Sequence, residues 1–358
     1  MPLIRFLKFS VLLLLAGIAV FYLVYRLSLH EPLSLPEKGL QIEITKGESL
    51  NSVLQRLNSE GALASVWAAK VYIKLNSLLG NSSLESNIRA GEFMLSAPMT
   101  IPSLLSYISS NNQISYSIQF IEGSRFRDAL MVLKHEPKLN HVLTDLSEKD
   151  IASKLGLSEQ ESLEGQIYPD TYAFHKGDSD LDLLLRAHHK LKAVLDEEWQ
   201  NRQSGLPLKN AYEALILASI IEKETGVPEE RSEIAGVFVR RLEKNMRLQT
   251  DPTVIYGLPE VERHNLRSRH LIDESNIYNT YRHGGLPPTP IAMPGLAAIR
   301  ASLNPVQDGA LYFVARGDGS HQFSETLAQH QQAVREYQLQ RREDYRSSPA
   351  PAKPRQEK

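Results

Sequence analysis

The spacing of hydrophobic and polar positions divides the chain into segments of distinct period. From Phe9 to Tyr25 (FSVLLLLAGIAVFYLVY) it is uncharged for roughly 17 residues, about the minimum that crosses a bilayer core as a helix. Arg5 and Lys8 precede this run, and Glu31 and Glu37 follow Arg26 beyond it. The positive-inside rule then favours a cytoplasmic N-terminus and an exported bulk, although Arg26 weakens the contrast. A cleaved signal peptide is the rival reading, but the run is long and no clear A-x-A site follows. The expectation is an uncleaved single-pass anchor over residues 9–26 after a short cytoplasmic N-terminus, residues 1–8. Residues 27–38 are expected as a linker, because HEPLSLPEK (His30 to Lys38) carries two prolines and no apolar period.

A small α+β module is expected over residues 39–112. Gln41 to Thr45 alternates as a short strand, and Ser49 or Asn51 is placed to cap a helix through Leu57. Val66 to Leu79 reads as a second helix and Gly91 to Leu95 as a strand. Thr100 to Ser109 reads as a helix with Pro102 in its first turn, where a missing N–H costs nothing. The segment KGESLNSVLQRL (Lys46 to Leu57) resembles the opening of LysM-type glycan-binding modules, in which a strand passes through a Gly turn into the first helix. An ordinary α+β spacer fits the same pattern.

A larger, mainly helical region with a small sheet is expected over residues 113–345. It opens on the alternation YSIQFIEG from Tyr116. Helical periods cover Leu181 to Trp199, Ala211 to Thr225 and Glu229 to Met246, the last with Ile234, Val237, Phe238 and Leu242 facing one way. Leu311 to Val314 reads as a buried strand, paired with His321 to Phe323 across the Gly317-Asp318-Gly319 turn. Residues 346–358 are polar and proline-rich and are expected to be disordered. The fold class is therefore α+β: a transmembrane helix, a small mixed module and a larger helical domain.

Within Ala211 to Thr225 lies the strongest chemical signal. At 100° per residue Leu217, Ile220 and Ile221 form one apolar stripe, and Glu224 projects into it while Glu222 points roughly the other way. A carboxyl on an apolar face is costly to ionise, so it keeps its proton near neutral pH and can deliver it. Gly226 reads as a C-terminal cap and Pro228 stops the helix, which places Glu224 beside the negative end of the helix dipole. The bland alternative is a Glu that hydrogen-bonds a neighbouring loop.

Composition narrows the classes. The chain has 358 residues, 42% of them hydrophobic, enough for two or three domains. A formal net charge of −2 gives no sign of nucleic acid as a partner. With no cysteine, thiol catalysis, disulfides, thiolate metal sites and a lipoprotein anchor are excluded. No metal site is expected: His188 and His189 are adjacent, the other histidines lack H-E-x-x-H spacing, and Asp178, Asp180 and Asp182 lack the Gly and Glu of a calcium loop. No phosphate-binding glycine loop or G-x-S-x-G elbow occurs, and no cofactor is expected.

ASIIEKET (Ala218 to Thr225), RLQTDPTVIYG (Arg247 to Gly257), YNTY (Tyr278 to Tyr281), GLPPTPI (Gly285 to Ile291), LYFV (Leu311 to Val314) and EGQIYPDTYAF (Glu164 to Phe174) together resemble the YceG/MltG-like family of endolytic murein transglycosylases. The resemblance spans most of the chain, and only the loop between Gly257 and Asn276 matches weakly. It implies that the second glutamate of E-K-E-T, Glu224, is catalytic, followed by a hydroxyl residue as in the Glu-Ser pair of other lytic transglycosylases. Its motifs also bring in Gln249, Thr250, Asp251, Tyr256, Tyr278, Asn279, Tyr281, Tyr168 and Asp170 as candidate substrate contacts. Gln249 and Asn279 would donate to N-acetyl groups, and the tyrosines at 256, 278 and 281 would stack on sugar faces. Each taken singly also fits a packing role. Asp251 in Thr250-Asp251-Pro252-Thr253 suits an Asx turn or helix cap, and Tyr168 to Tyr172 a structural turn. The three prolines of GLPPTPI would stiffen a groove wall.

The implied reaction cleaves the bond between N-acetylmuramic acid and N-acetylglucosamine with 1,6-anhydromuramoyl ends. The expected partners are peptidoglycan glycan strands, the cytoplasmic membrane and peptidoglycan synthases, with the catalytic region on the periplasmic or extracytoplasmic side. Two alternatives stay open: a muramidase-type hydrolase using Glu224 and Asp251, and a non-catalytic wall-binding scaffold.

Overall fold

A computed structural model describes residues 2–79, 88–158 and 161–339. The expected disordered tail, residues 346–358, lies outside the described residues. The chain divides into two compact units, Met1–Tyr116 with Ala173–Asp178, and Ser117–Tyr172 with Ser179–Lys358.

The first unit begins with helix α1 (Pro2–His30), whose stretch Lys8–His30 is long and apolar enough to cross a membrane. Strand β1 (Leu40–Ile44) pairs antiparallel with β2 (Gly91–Leu95), placing Ile42 opposite Phe93. Between them lie helices α2 (Leu50–Ser59) and α3 (Val66–Leu78), and α4 (Ile101–Ser109) follows. Ser49 caps α2 by accepting the Ser52 N–H at 3.1 Å, and Thr100 and Ser103 cap α4 reciprocally with Pro102 in the first turn. Leu50, Val53, Leu54 and Leu57 bury one face of α2 in a core that also holds Phe93, Leu104, Leu105 and Ile108. Tyr25 and Leu29, from the last turns of α1, belong to this same core. So does Leu33, in the segment expected as a linker. That segment is tied down, with the Leu33 N–H on the Met99 carbonyl at 2.7 Å and the Ser34 N–H on the Ala62 carbonyl at 2.9 Å.

Strand β3 (Ser115–Gln119) pairs with β4 (Thr171–His175). Between them come α5 (Phe126–Lys134) and α6 (Glu148–Leu155). The second unit is built around α7 (Asp180–Gln200), α8 (Ala211–Glu224) and α9 (Arg231–Glu243), then the short α10 (Asp251–Gly257) and α11 (Ser268–Leu271), and α12 (Leu296–Leu303). A hairpin of β5 (Tyr312–Ala315) and β6 (His321–Ser324) precedes α13 (Leu327–Val334). Helix α8 is the hub, buried without a break from Ala214 to Ile221 and packed against α7, α9, α10 and α12. A helix apolar all round must be enclosed by others, and the Ala and Ser positions of this one admit close neighbours.

Four local expectations need correction. Helix α8 ends at an extended Thr225 (φ −139°), and Gly226 is not left-handed, because Val227 N–H bonds the Thr225 hydroxyl and turns the chain without a glycine cap. The strand at Leu311 to Val314 is half-buried, since Tyr312, Phe313 and Val314 line an open cleft. Tyr168 to Tyr172, expected as a turn, leads directly into β4. Asp251 is the first residue of α10 and caps nothing; Thr250 precedes it as the cap residue and directs its hydroxyl elsewhere.

Candidate active site

Leu217, Ile220 and Ile221 anchor α8 in the core with no exposed surface, so the carboxyl of Glu224 is fixed at the point where the helix leaves the interior. It opens onto a cleft of about 500 Å³ whose other walls include Arg241, Gln249, Asp251, Tyr281, Tyr312, Phe313, His321 and His330. Burial pushes the Glu224 pKa up to about 7. A hydrogen bond from the Thr250 hydroxyl (3.0 Å) opposes that shift, the Asp251 charge reinforces it, and Arg241 opposes it. A carboxyl so poised holds a proton at neutral pH and also accepts one back.

Gln249 delivers Thr250 to Glu224 by taking a left-handed conformation (φ 51°), uncommon for a side chain without special local bonding. The turn is held by three buried threonines. The Thr250 N–H donates to the Thr280 hydroxyl (3.1 Å), the Thr253 hydroxyl bonds the Thr250 carbonyl (2.8 Å), and the Thr253 and Thr280 hydroxyls meet at 2.8 Å. Gln249 itself closes the arrangement through its N–H on the Thr280 carbonyl (3.2 Å), which leaves its side chain exposed in the cleft. Asp251 is exposed beside it and accepts the Tyr281 hydroxyl at 2.7 Å. Burial holds the Tyr281 phenol well above its usual range, so it remains a donor.

The opposite wall rests on Glu230. One carboxylate oxygen accepts the His321 backbone N–H (2.7 Å), and the other meets His321 Nδ1 (2.7 Å) and the Thr225 hydroxyl (3.3 Å). Donation from Nδ1 leaves His321 Nε2 as the free ring nitrogen. Arg241 is buried behind the hairpin, donating to the carbonyls of Leu311 and Leu248 at 2.7 Å each and lying 5.2 Å over the Tyr312 ring. His330 stacks on the same ring, 5.1 Å from the Tyr312 centroid, and burial lowers its pKa.

Glu224, Gln249, Thr250, Asp251 and Tyr281 are therefore brought together. The remaining sequence-expected residues lie elsewhere. Asn279 is fully buried, its amide donating to the carbonyls of His270, Leu271 and Asp273 and its oxygen accepting the Tyr281 N–H, so it organises a loop and has nothing left for a sugar. Tyr256 bonds Glu164 (3.1 Å) and packs edge-on to Tyr278, 4.8 Å away, and Tyr278 bonds Thr289 (3.0 Å). Asp170 pairs with Lys190, which also lies over the Tyr168 ring. Pro290 of the proline segment crowds Gly165, and the buried Ser219 hydroxyl of α8 accepts the Ile291 N–H at 3.0 Å; this segment clamps the helix. Glu222 is also taken, by the Gly295 N–H (3.0 Å) and by Arg231. Asp180, from the rejected calcium pattern, is buried under the N–H groups of Val142 and Leu143.

Arg241, His321 and His330 line the cleft but carried no signal in the sequence. A basic residue in the last turn of an amphipathic helix and isolated histidines near a hairpin are ordinary in any chain.

Residues 42–336 match the YceG-like family. The chain is 28% identical over 331 residues, covering 88% of itself and 89% of the relative, to an endolytic murein transglycosylase of Bacillus subtilis (strain 168). It is 30% identical over 197 residues to an endolytic murein transglycosylase of Streptococcus pneumoniae serotype 2, covering 54% of this chain and 34% of that longer one. A crystal structure of a yceG-like protein from Listeria monocytogenes is similar with a TM-score of 0.51 and 28% identity, covering 83% of this chain and 99% of the other.

Proposed function

The chain belongs to the YceG-like family, and we propose that it is a membrane-anchored endolytic peptidoglycan lytic transglycosylase with Glu224 as general acid and then base. The observation that carries this reading is one half-neutral carboxyl, with a pKa of about 7, at the end of a core helix and facing an aromatic- and amide-lined cleft. The names of the two curated relatives support the substrate class.

In this mechanism the protonated Glu224 gives its proton to the glycosidic oxygen between N-acetylmuramic acid and N-acetylglucosamine, and the C1–O bond breaks. The glucosamine leaves with a new 4-hydroxyl. Glu224, now a carboxylate, takes the proton of the muramic acid 6-hydroxyl while that oxygen bonds to C1, closing the 1,6-anhydro ring. No water enters, so one carboxyl suffices, whereas hydrolases normally use two. Thr250 steadies the carboxylate stage, and the burial that raises the pKa restores the acid stage. Gln249, Tyr281 and the Nε2 of His321 are the polar groups offered to the sugars.

Residues 9–26 would anchor the chain with the remainder on the extracytoplasmic side, residues 39–112 would form a LysM-like glycan-binding module, and residues 113–345 the catalytic region. The strand–helix–helix–strand order of β1, α2, α3 and β2 supports the module. Tethering favours internal cleavage of strands close to the membrane where synthases extend them. Asp251 lines the same cleft, which gives the muramidase reading its footing. Mass spectrometry of products released from purified peptidoglycan by the full chain in detergent, wild type beside Glu224→Gln, separates the readings. Anhydromuramoyl ends from the wild type alone support the transglycosylase. Reducing ends would select the hydrolase, and no products from either protein would leave a scaffold.

A further inference from the structure

One apolar face of α3 is left largely uncovered by the described residues. Trp67, Val71, Leu75 and Leu78 fall within about 80° of one another at 100° per residue. Trp67 is 40% exposed, Leu75 45% and Leu78 73%, and the exposed Lys70 and Lys74 run along one edge of this stripe. The stripe is continuous with the apolar surface of α1, since the Trp67 ring lies 5.8 Å from that of Phe21 and 6.3 Å from that of Tyr25. Phe21 precedes Tyr25, the end of the apolar run, by four residues, about 6 Å of helix rise. Trp67 is thus held at the level where the hydrocarbon of a bilayer around α1 gives way to headgroups. Tyr22, 59% exposed, and Arg26 mark the same level, as interfacial aromatics and basic residues do.

We propose that α3 is an interfacial helix that lies in the outer headgroup layer beside the anchor, with its Trp-Leu stripe in the lipid and Lys70 and Lys74 on anionic headgroups. The proposal rests on α1 spanning the membrane. Two apolar surfaces in direct contact share one solvent, and a bilayer that receives Phe21 receives Trp67 with it. Burial of an apolar helix face by 5–10 Å and lysine attraction to anionic lipid are the two terms that hold such helices at a surface. The consequence is that the first unit is fixed at the bilayer at two points and cannot swivel about a single helix.

The test uses the full chain carrying Trp199→Phe, so that Trp67 is the sole tryptophan, in phosphatidylethanolamine–phosphatidylglycerol vesicles containing lipids brominated at defined acyl positions. The expected result is flotation with the vesicles and Trp67 fluorescence quenched about twofold by bromines near the headgroup end and less by deeper ones, as an interfacial depth requires. Leu75→Glu with Leu78→Glu should lower the quenching, as the C-terminal half of the stripe lifts out of the lipid, while flotation and circular dichroism stay unchanged. Replacing phosphatidylglycerol with phosphatidylcholine should weaken the quenching, and Lys70→Gln with Lys74→Gln should remove that dependence. A chain that floats while Trp67 is reached only by aqueous acrylamide overturns the proposal and leaves the anchor standing. Trp67 shielded from both quenchers assigns the face to a second copy and overturns it too. A chain that does not float overturns the anchor and the proposal together.

Discussion

At the scale of residues, the proposed acid Glu224 would set activity and stability together. Replacing it with Gln keeps the shape and removes the proton, so anhydro-product formation should fall on the order of a thousandfold. Its folded pKa of about 7 exceeds the ordinary 4.5, so between those values the unfolded chain has lost the proton that the folded chain keeps. Stability therefore falls as pH rises through that window and stays lower above it. Glu224→Gln should be more stable than wild type by about 2 kcal/mol at about pH 8 and equal to it at about pH 4, read by calorimetry; the opposite order would deny the buried acid. The neighbours tune the same proton in opposite directions. Asp251→Asn removes a charge that raises the pKa, while its amide oxygen still accepts from Tyr281. The alkaline limb of kcat/KM should move to lower pH by less than about one unit with anhydro products retained. Thr250→Val removes the bond that favours the carboxylate and should move the limb up. Both limbs unmoved would show that another group titrates. The cleft-facing position of Glu224 was legible from helical period, whereas the burial of Glu222 under Gly295 and Arg231 on another face was not. Thr250 as the partner of Glu224 was not legible either, because a hydroxyl bond depends on the left-handed turn at Gln249.

Secondary-structure elements were legible where one face is apolar and the ends carry caps. Ser49, Thr100 and Pro102 mark their helix starts in the sequence, and the structure uses them so. Elements that line the cleft were harder, since β5 faces core on one side and open space on the other. The stretch from His270 to Tyr281 shows the limit. It contains only the end of the single turn of α11, and its conformation is imposed by Asn279, whose amide reaches three loop carbonyls that no periodicity reveals. Asn279→Ala should cost about 2 kcal/mol, roughly one for each amide hydrogen that its NH2 shares among the loop carbonyls. Asn279→Asp should be no better, because a carboxylate offers acceptors to acceptors. The loop carries Thr280 and Tyr281 into the site, so kcat should drop with the melting temperature in both variants. A normal melting temperature with lost activity would instead make Asn279 a substrate contact. The β6 wall gives a parallel case in which the fold survives. His321→Ala should retain the melting temperature and lower kcat/KM about tenfold to a hundredfold, the usual loss when an oriented hydrogen-bonding ring is removed, and an unchanged kcat/KM would leave His321 as wall alone.

For the whole molecule, a linear reading separates anchor, module and catalytic region as successive blocks, and the three-dimensional contacts mix them. Ala173–Asp178 joins the first unit although Phe120 to Asp170 lie between it and Tyr116. Such a return depends on the pairing of β3 with β4, a long-range choice that local pattern does not encode. The anchor is mixed in the same way. Its apolar run ends at Tyr25, which suggests a helix that stops at the membrane and a free linker beyond it. Tyr25 and Leu29 are nevertheless only 7% and 3% exposed, in one core with Leu54, Phe93 and Leu104. A truncated chain beginning at Glu31 loses both side chains, each worth about 1.5–3 kcal/mol when fully buried, whereas one beginning at Val24 keeps them and sheds most of the apolar run. Circular dichroism melts of the two should differ, the Glu31 form unfolding several degrees lower by the usual scaling of stability with melting temperature. Equal melts would mean that the last turns of α1 add nothing to the core and that the anchor is a detachable leash. A lower melt makes the end of α1 a structural part of the first unit, so that the apolar helix and the core it enters move as one body.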